Sequence, residues 1–156
     1  PHIAWGVGSP LGAIDLAPIS GTGCKPAPQQ AVAAAPGVVV RSTRGALALD
    51  LDGDGNEQTG WVLVYMHLAN RAPVGSHVEI DEPLGNPSCE GGAATGAHVH
   101  LARKYNGEWL GLDRVPFVLS GWVVEAGDKP YKGRLVRGSQ VVTANSNGMS
   151  GSSISR

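Results

Sequence analysis

The 156-residue chain has no long hydrophobic run, no excess of charge of either sign and only two cysteines. Each lack removes a class of protein. No apolar stretch approaches the roughly 20 residues that a helix needs to cross a bilayer, so no membrane span is expected. The net charge of −1 and an isoelectric point near 6.6 give no basic face for nucleic acid to bind. The opening "PHIAWG" carries neither the basic nor the apolar region of a secretory leader, so a secreted form would be a processed or trimmed one. No internal repeat is present. What the chain does have is punctuation, with 23 glycines and 11 prolines. That density suits short strands joined by many turns better than long helices.

The pattern predicts a mainly β domain, a curved antiparallel sheet or β-sandwich-like body with little helix. Residues 9–17 read as a short strand and 21–30 as a loop. From 31 onward "AVAAAPGVVVRSTRGALALDLDGDG" gives a short strand, a Pro-Gly turn and two β-rich runs broken near Arg44-Gly45. "GWVLVYMHLA" (60–69) is the strongest strand, rich in branched and aromatic residues. Segments 77–81 and 98–105 are further strands flanking a Gly-rich loop. "YNGEW" holds an Asn-Gly pair, a common two-residue hairpin turn. Residues 116–142 read as a loop followed by one or two strands. The polar end, 143–156, is expected to be a flexible Ser/Gly-rich tail behind a 1–142 domain.

Chemistry concentrates in "TGAHVHLARKYNGEWL". On a strand, His98 and His100 project to one face, their Cα atoms about 6.5–7 Å apart, while Val99 turns to the core. Such a pair is either two histidines on a solvated face or one edge of a metal site. Asp15 sits among apolar neighbours in "LGAIDLAP". A carboxylate there is costly unless it bonds backbone amides or meets a cation. His67 falls inside the 60–69 strand, on the face of Leu63 and Tyr65, as a core histidine or a site residue. His2 lies near the start of the chain, and His77 reads as a surface residue. Two imidazoles, a carboxylate and a water would make a catalytic rather than a structural zinc site. The His-Glu-x-x-His motif is absent, so a zinc peptidase of that helical build is excluded.

Two loops add further expectations. Cys24 and Cys89 lie in "GTGCKPAP" and "NPSCEGG". They are read as one disulfide, with two separate thiols or a metal role as alternatives; a bridge implies an oxidising compartment. "DLDGDGNEQTG" spaces Asp50, Asp52 and Asp54 as the first half of a calcium loop, but Trp61 stands where the last acidic ligand belongs. The alternative is a polar hairpin with Asp-Gly turns.

Taken in order, "PHIAWGVGSPLGAIDLAP", "WVLVYMHLA", "VGSHVEIDEPLGNPSCEGGAATGAHVH" and "LARKYNGEW" resemble the lysostaphin/LasA-type zinc metallopeptidases, nearest the LasA branch. The resemblance spans roughly residues 2–122. It implies one zinc ion held by His2, Asp15 and His100. It implies that His98 is the catalytic base and that His67 orients the water or stabilises the oxyanion. It also implies a groove walled by loops around 20–24 and 85–96 and tied by a Cys24–Cys89 bridge. The expected activity is that of a secreted, monomeric endopeptidase acting on bacterial cell-wall crosslinks or glycine-rich peptides. A non-catalytic zinc- or peptide-binding module of the same fold is the alternative. A phosphoryl carrier sharing a group between two histidines is a third reading, and it leaves His2 and Asp15 without a purpose.

Overall fold

A computed structural model of the chain describes residues 1–19, 23–145 and 152–155. Among these there is no helix, and the strands form three antiparallel sheets. In the main sheet β1 (His2–Ile3) lies beside β2 (Leu11–Leu16). Then come β10 (Val99–Tyr105), β6 (Trp61–Met66), β5 (Ala46–Asp50), β4 (Gly37–Thr43) and β8 (His77–Val78), with β11 (Glu108–Trp109) paired to β10. A three-stranded sheet joins β3 (Ala31–Val32), β9 (Pro83–Pro87) and β7 (Leu68–Ala69). A four-stranded meander follows: β12 (Val118–Leu119), β13 (Trp122–Ala126), β14 (Gly133–Arg137) and β15 (Gln140–Thr143).

Period-two alternation gives the main sheet two different faces. One carries Ile14, Val39, Leu47, Leu49, Leu63, Tyr65, Val99 and Leu101. These pack with Leu68, Leu84, Phe117 and Val124 from the other segments into a single core. The opposite face is lined with small residues. Ala13 and Ala102 pack with Ala4, while Ala48, Val62 and Val64 form a second patch, and Trp109 lies over both. On β10, His100, Ala102 and Lys104 share this shallow face. Arg103 turns to the core side, where its guanidinium donates to the carbonyls of Val115 and Pro116 and stacks on Phe117.

The hairpins are local products of sequence. Arg44-Gly45 turns β4 into β5, and Asn106-Gly107 turns β10 into β11. All four residues have positive φ, the combination that matches strand twist in two-residue hairpins. Three expectations need correction. The 60–69 strand ends at Met66 because His67 adopts φ +63°, and the chain restarts as β7. The Gly-rich loop before His98 includes β9 (Pro83–Pro87). The 116–142 segment holds four strands, not one or two; they are short and only weakly alternating, so the pattern understated them. Half of the expected 143–156 tail, residues 146–151 and 156, lies outside the described residues. Near its end, the Ser155 carbonyl accepts the Trp122 indole N–H at 2.9 Å.

Candidate metal centre

Antiparallel register assembles the site. Asp15 on β2 is directly opposite His100 on β10, and His100 is directly opposite Met66 on β6. His2 on β1 pairs with Ala13, two residues from Asp15 on the same face. The three side chains expected to act as ligands therefore converge. His2 Nε2 lies 2.9 Å from His100 Nδ1 and 3.4 Å from Asp15 Oδ1, and His100 Nδ1 is 3.5 Å from the same oxygen. Ligand atoms about 2.0–2.2 Å from a tetrahedral zinc stand roughly 3.4 Å from one another, so these separations suit such an ion.

Hydrogen bonds orient the rings. His100 Nε2 is 2.9 Å from the Ala4 carbonyl, His98 Nδ1 is 2.8 Å from that of Gly96, and His67 Nδ1 is 3.0 Å from that of Glu90. A carbonyl accepts only, so each of these nitrogens carries the proton. The other nitrogen of each neutral ring keeps its lone pair: Nδ1 of His100, and Nε2 of His98 and His67. His98 Nε2 is 3.7 Å from Asp15 Oδ2, and the His67 and His98 rings are 4.5 Å apart. His67 reaches this cluster because its left-handed backbone turns it away from the face of Leu63 and Tyr65, which point into the core. The strand parity assigned to it was wrong for that reason.

Burial disfavours charge on two of the imidazoles, His2 and His67. It lowers the His2 pKa to about 4, against the opposing pull of Asp15, and it lowers that of His67 as well. Burial also opposes ionisation of Asp15, but His100, His2 and His98 outweigh it and hold the carboxyl below its usual range.

The cluster opens into a groove of about 1110 Å³. Gly91 to Thr95 line one side, Trp5 and Gly6 line another, and Met66, Ala46 and Thr43 continue across the sheet. Of the two loops expected as walls, the one before His98 is here. Ser20 to Thr22 of the other lie outside the described residues, although Gly23 accepts the Ala97 N–H at 2.7 Å. A Cys24–Cys89 disulfide joins the two loops. Residues the sequence did not mark also line the groove. Tyr131, between β13 and β14, stacks on His2 with ring centroids 4.4 Å apart. Trp5 stacks on Trp109 at 5.4 Å. His77 is on the surface, as expected.

The acidic loop lies elsewhere, between β5 and β6. Ligand atoms of Asp50, Asp52 and Asp54 lie within 4.8 Å of one another, and two of the three carboxylates already have donors. The buried Asp50 carboxylate accepts the amides of Asp52, Gly53 and Gly55, and Asp54 accepts the Asn56 amide and the Thr59 hydroxyl. Asp50 and Asp54 are thus engaged by the hairpin's own amides and hydroxyl, and the calcium expectation gains no support from them.

No family model matches the chain. Over 80 residues it is 32% identical to the beta-lytic metalloendopeptidase of Achromobacter lyticus, a match covering 46% of this chain and 21% of that protein. The chain thus spans about a fifth of the length of the curated relative it matches. Among solved structures, the M23 metalloprotease pseudoalterin, described as from the deep sea, superposes with a TM-score of 0.67 at 20% identity, covering 92% of this chain and 94% of that one. The catalytic domain of the prophage-encoded M23 protein EnpA from Enterococcus faecalis gives 0.47 at 23% identity, over 73% and 96% of the two chains. The fold is that of the M23 metalloprotease pseudoalterin, consistent with the lysostaphin/LasA-type family that the sequence resembles.

Proposed function

We propose that the protein is a secreted, monomeric zinc endopeptidase that hydrolyses peptide bonds of bacterial cell-wall crosslinks or glycine-rich peptides. One observation carries this reading: two imidazoles and a carboxylate meet at zinc-ligand spacing on a groove floor, with two further imidazoles beside them. His2 Nε2, Asp15 and His100 Nδ1 would hold the ion. Zinc bound there supplies Lewis acidity toward water and a peptide carbonyl.

The remaining chemistry belongs to the chain. His98 presents the lone pair of Nε2 beside Asp15 and takes the proton of the attacking water. It then returns that proton to the leaving amine. His67 presents its own Nε2 lone pair; while neutral it can orient the water as an acceptor. It donates to a developing oxyanion only after gaining a proton, so the oxyanion role falls to the protonated form. Tyr131 holds the His2 ring by stacking. The Gly91–Gly92 wall runs close to the floor, where a Cβ on Gly92 would lie 3.2 Å from Met66 Cε, and this closeness favours glycine or other small residues near the cleaved bond. The disulfide suits an extracellular setting.

Metal analysis together with cleavage of oligoglycine and of purified peptidoglycan, for the wild type and His100→Ala, tests the reading. One zinc per chain and hydrolysis in the wild type, both lost in the variant, are expected. Zinc retained at full occupancy by His100→Ala would refute the ligand assignment. Zinc bound without hydrolysis of any substrate would point to a non-catalytic binding module.

A further inference from the structure

The groove floor follows one cross-strand row, and the row has a second end. Asp15, His100 and Met66 are in register across β2, β10 and β6. Tyr65 pairs with Leu47, so the same register carries Met66 to Ala46 on β5, and Ala46 pairs with Thr43 on β4. From His100 to Thr43 is three strand spacings of about 4.8 Å, roughly 14 Å. An extended peptide covers that distance in about four residues.

Two arginines line this far end, Arg41 on β4 and Arg44 in the β4–β5 turn. Their situations differ. Arg41 is already committed: its guanidinium donates to both carboxylate oxygens of Glu57, at 2.7 and 3.2 Å, and lies over the Trp5 ring. Glu57 also pairs with Lys104. Arg44 is exposed and has no ion-pair partner among the described residues. The nearest backbone belongs to Glu90 and Gly91, but the Glu90 carboxylate is taken by Arg71 at 2.6 Å. The turn is held against the wall loop by glycines at both contact points. A Cβ on Gly45 would strike the Glu90 carbonyl group, and one on Gly91 would strike the Arg44 carbonyl oxygen. Both glycines have positive φ, which fixes where Arg44 leaves the backbone.

We propose that Arg44 forms an anion subsite at the distal end of the groove. It would select extended peptides that carry a free carboxylate about four residues from the cleaved bond. This rests on the endopeptidase reading above and adds a substrate feature to it. The wall-peptide class fits because its stem peptides carry free carboxylates beside small residues, whereas plain oligoglycine offers none along its length.

The test uses the zinc-loaded chain and matched fluorogenic peptides with a glycine-rich centre. Glu or Gln stands four residues from the cut, on the N-terminal side in one pair and on the C-terminal side in another. In one pair, the Glu peptide should show kcat/KM about threefold to fivefold above its Gln twin, the size of an exposed ion pair. The gain should appear in KM and shrink in about 0.5 M salt. Arg44→Gln should bring the ratio to about one, Arg44→Lys should keep most of it, and Arg44→Glu should invert it toward a Lys-bearing peptide. Equal cleavage of both twins by the wild type, or a preference that survives Arg44→Gln, would overturn the subsite. The anisotropy of labelled Glu and Gln peptides reads the same preference without turnover. If no peptide is cut, the endopeptidase reading fails, and the anisotropy ratio still decides for or against Arg44.

Discussion

The two faces of the main sheet are built from the same strands but to opposite ends. The core face is filled with Leu, Val and Tyr side chains that meet two other sheets, and Leu47, Leu49 and Val39 have no exposed surface. The other face is paved with alanine and valine and left partly open, and its large or polar side chains include His100, Asp15, Met66, Arg41, Trp109 and Lys104. Small residues on one face let a groove pass over the sheet, and large ones on the other make the sheet rigid beneath it. A site whose proposed ligands come from β1, β2 and β10 needs that rigidity, because on the groove side only a few aromatic rings, Trp109, Trp5 and Tyr131 among them, lie against the strands. Stability and chemistry should therefore separate by face.

The largest effects should come from the open face and appear as activity. His100→Ala removes a proposed ligand, and hydrolysis should fall on the order of 10⁴-fold along with zinc content. His98→Ala should cost about 10²–10⁴-fold in kcat with zinc retained, the range for loss of a general base. A His98→Ala enzyme with unchanged kcat would show that the proton leaves by another route. Both variants should unfold within about 1 kcal/mol of the wild type when compared free of metal. On the core face the order reverses. Leu49→Ala should cost about 2–5 kcal/mol in urea unfolding while leaving the kcat of the folded fraction near wild type. A large kcat defect there would mean that the two faces are coupled more tightly than this division allows. Reducing Cys24–Cys89 should cost about 2–4 kcal/mol, since the bridge closes a loop with a sequence separation of 65. It joins the two loops beside the groove, so reduction should also raise KM.

The division of faces was legible in part. His98, Val99 and His100 obey the strand period, so their directions follow from sequence alone. The Arg44-Gly45 and Asn106-Gly107 turns are equally local. His67 was misplaced because parity assumes an unbroken strand, and a left-handed non-glycine residue is rare enough that no local pattern announces it. The Asp-rich loop allowed two readings, a calcium site or a polar hairpin, because Asp-Gly spacing serves both uses: the carboxylate that would bind a cation also caps its own backbone amides. Tyr131 and Trp5 were silent for a different reason. Each enters the groove through a partner far away in sequence, and neither has neighbours that mark it. Arg44 was read only as a turn residue; its place in the groove depends on the glycine-to-glycine contact with the wall loop.

The smallest expected effect also separates the faces, by pH. In the zinc-free protein burial lowers the His2 pKa to about 4, whereas in the unfolded chain it titrates near 6.5. Between those values the unfolded state binds the extra proton, so stability is fully present above about pH 6.5 and declines as pH falls toward 4. The loss by pH 5 should be about 1 kcal/mol, below the full linkage because the groove is open to water. On the core face burial pushes the Tyr65 pKa up to about 12, with its hydroxyl accepting the Ala34 N–H. Here the unfolded chain gives up its proton first, so stability is lost as pH rises from 10 toward 12. Urea midpoints of the chelated protein across the pH range should show both edges. His2→Gln should remove part of the acid edge and leave the alkaline one, while Tyr65→Phe should do the reverse. If one substitution moved both edges, the faces would titrate as a unit, and the separation drawn here between chemistry and stability would fail.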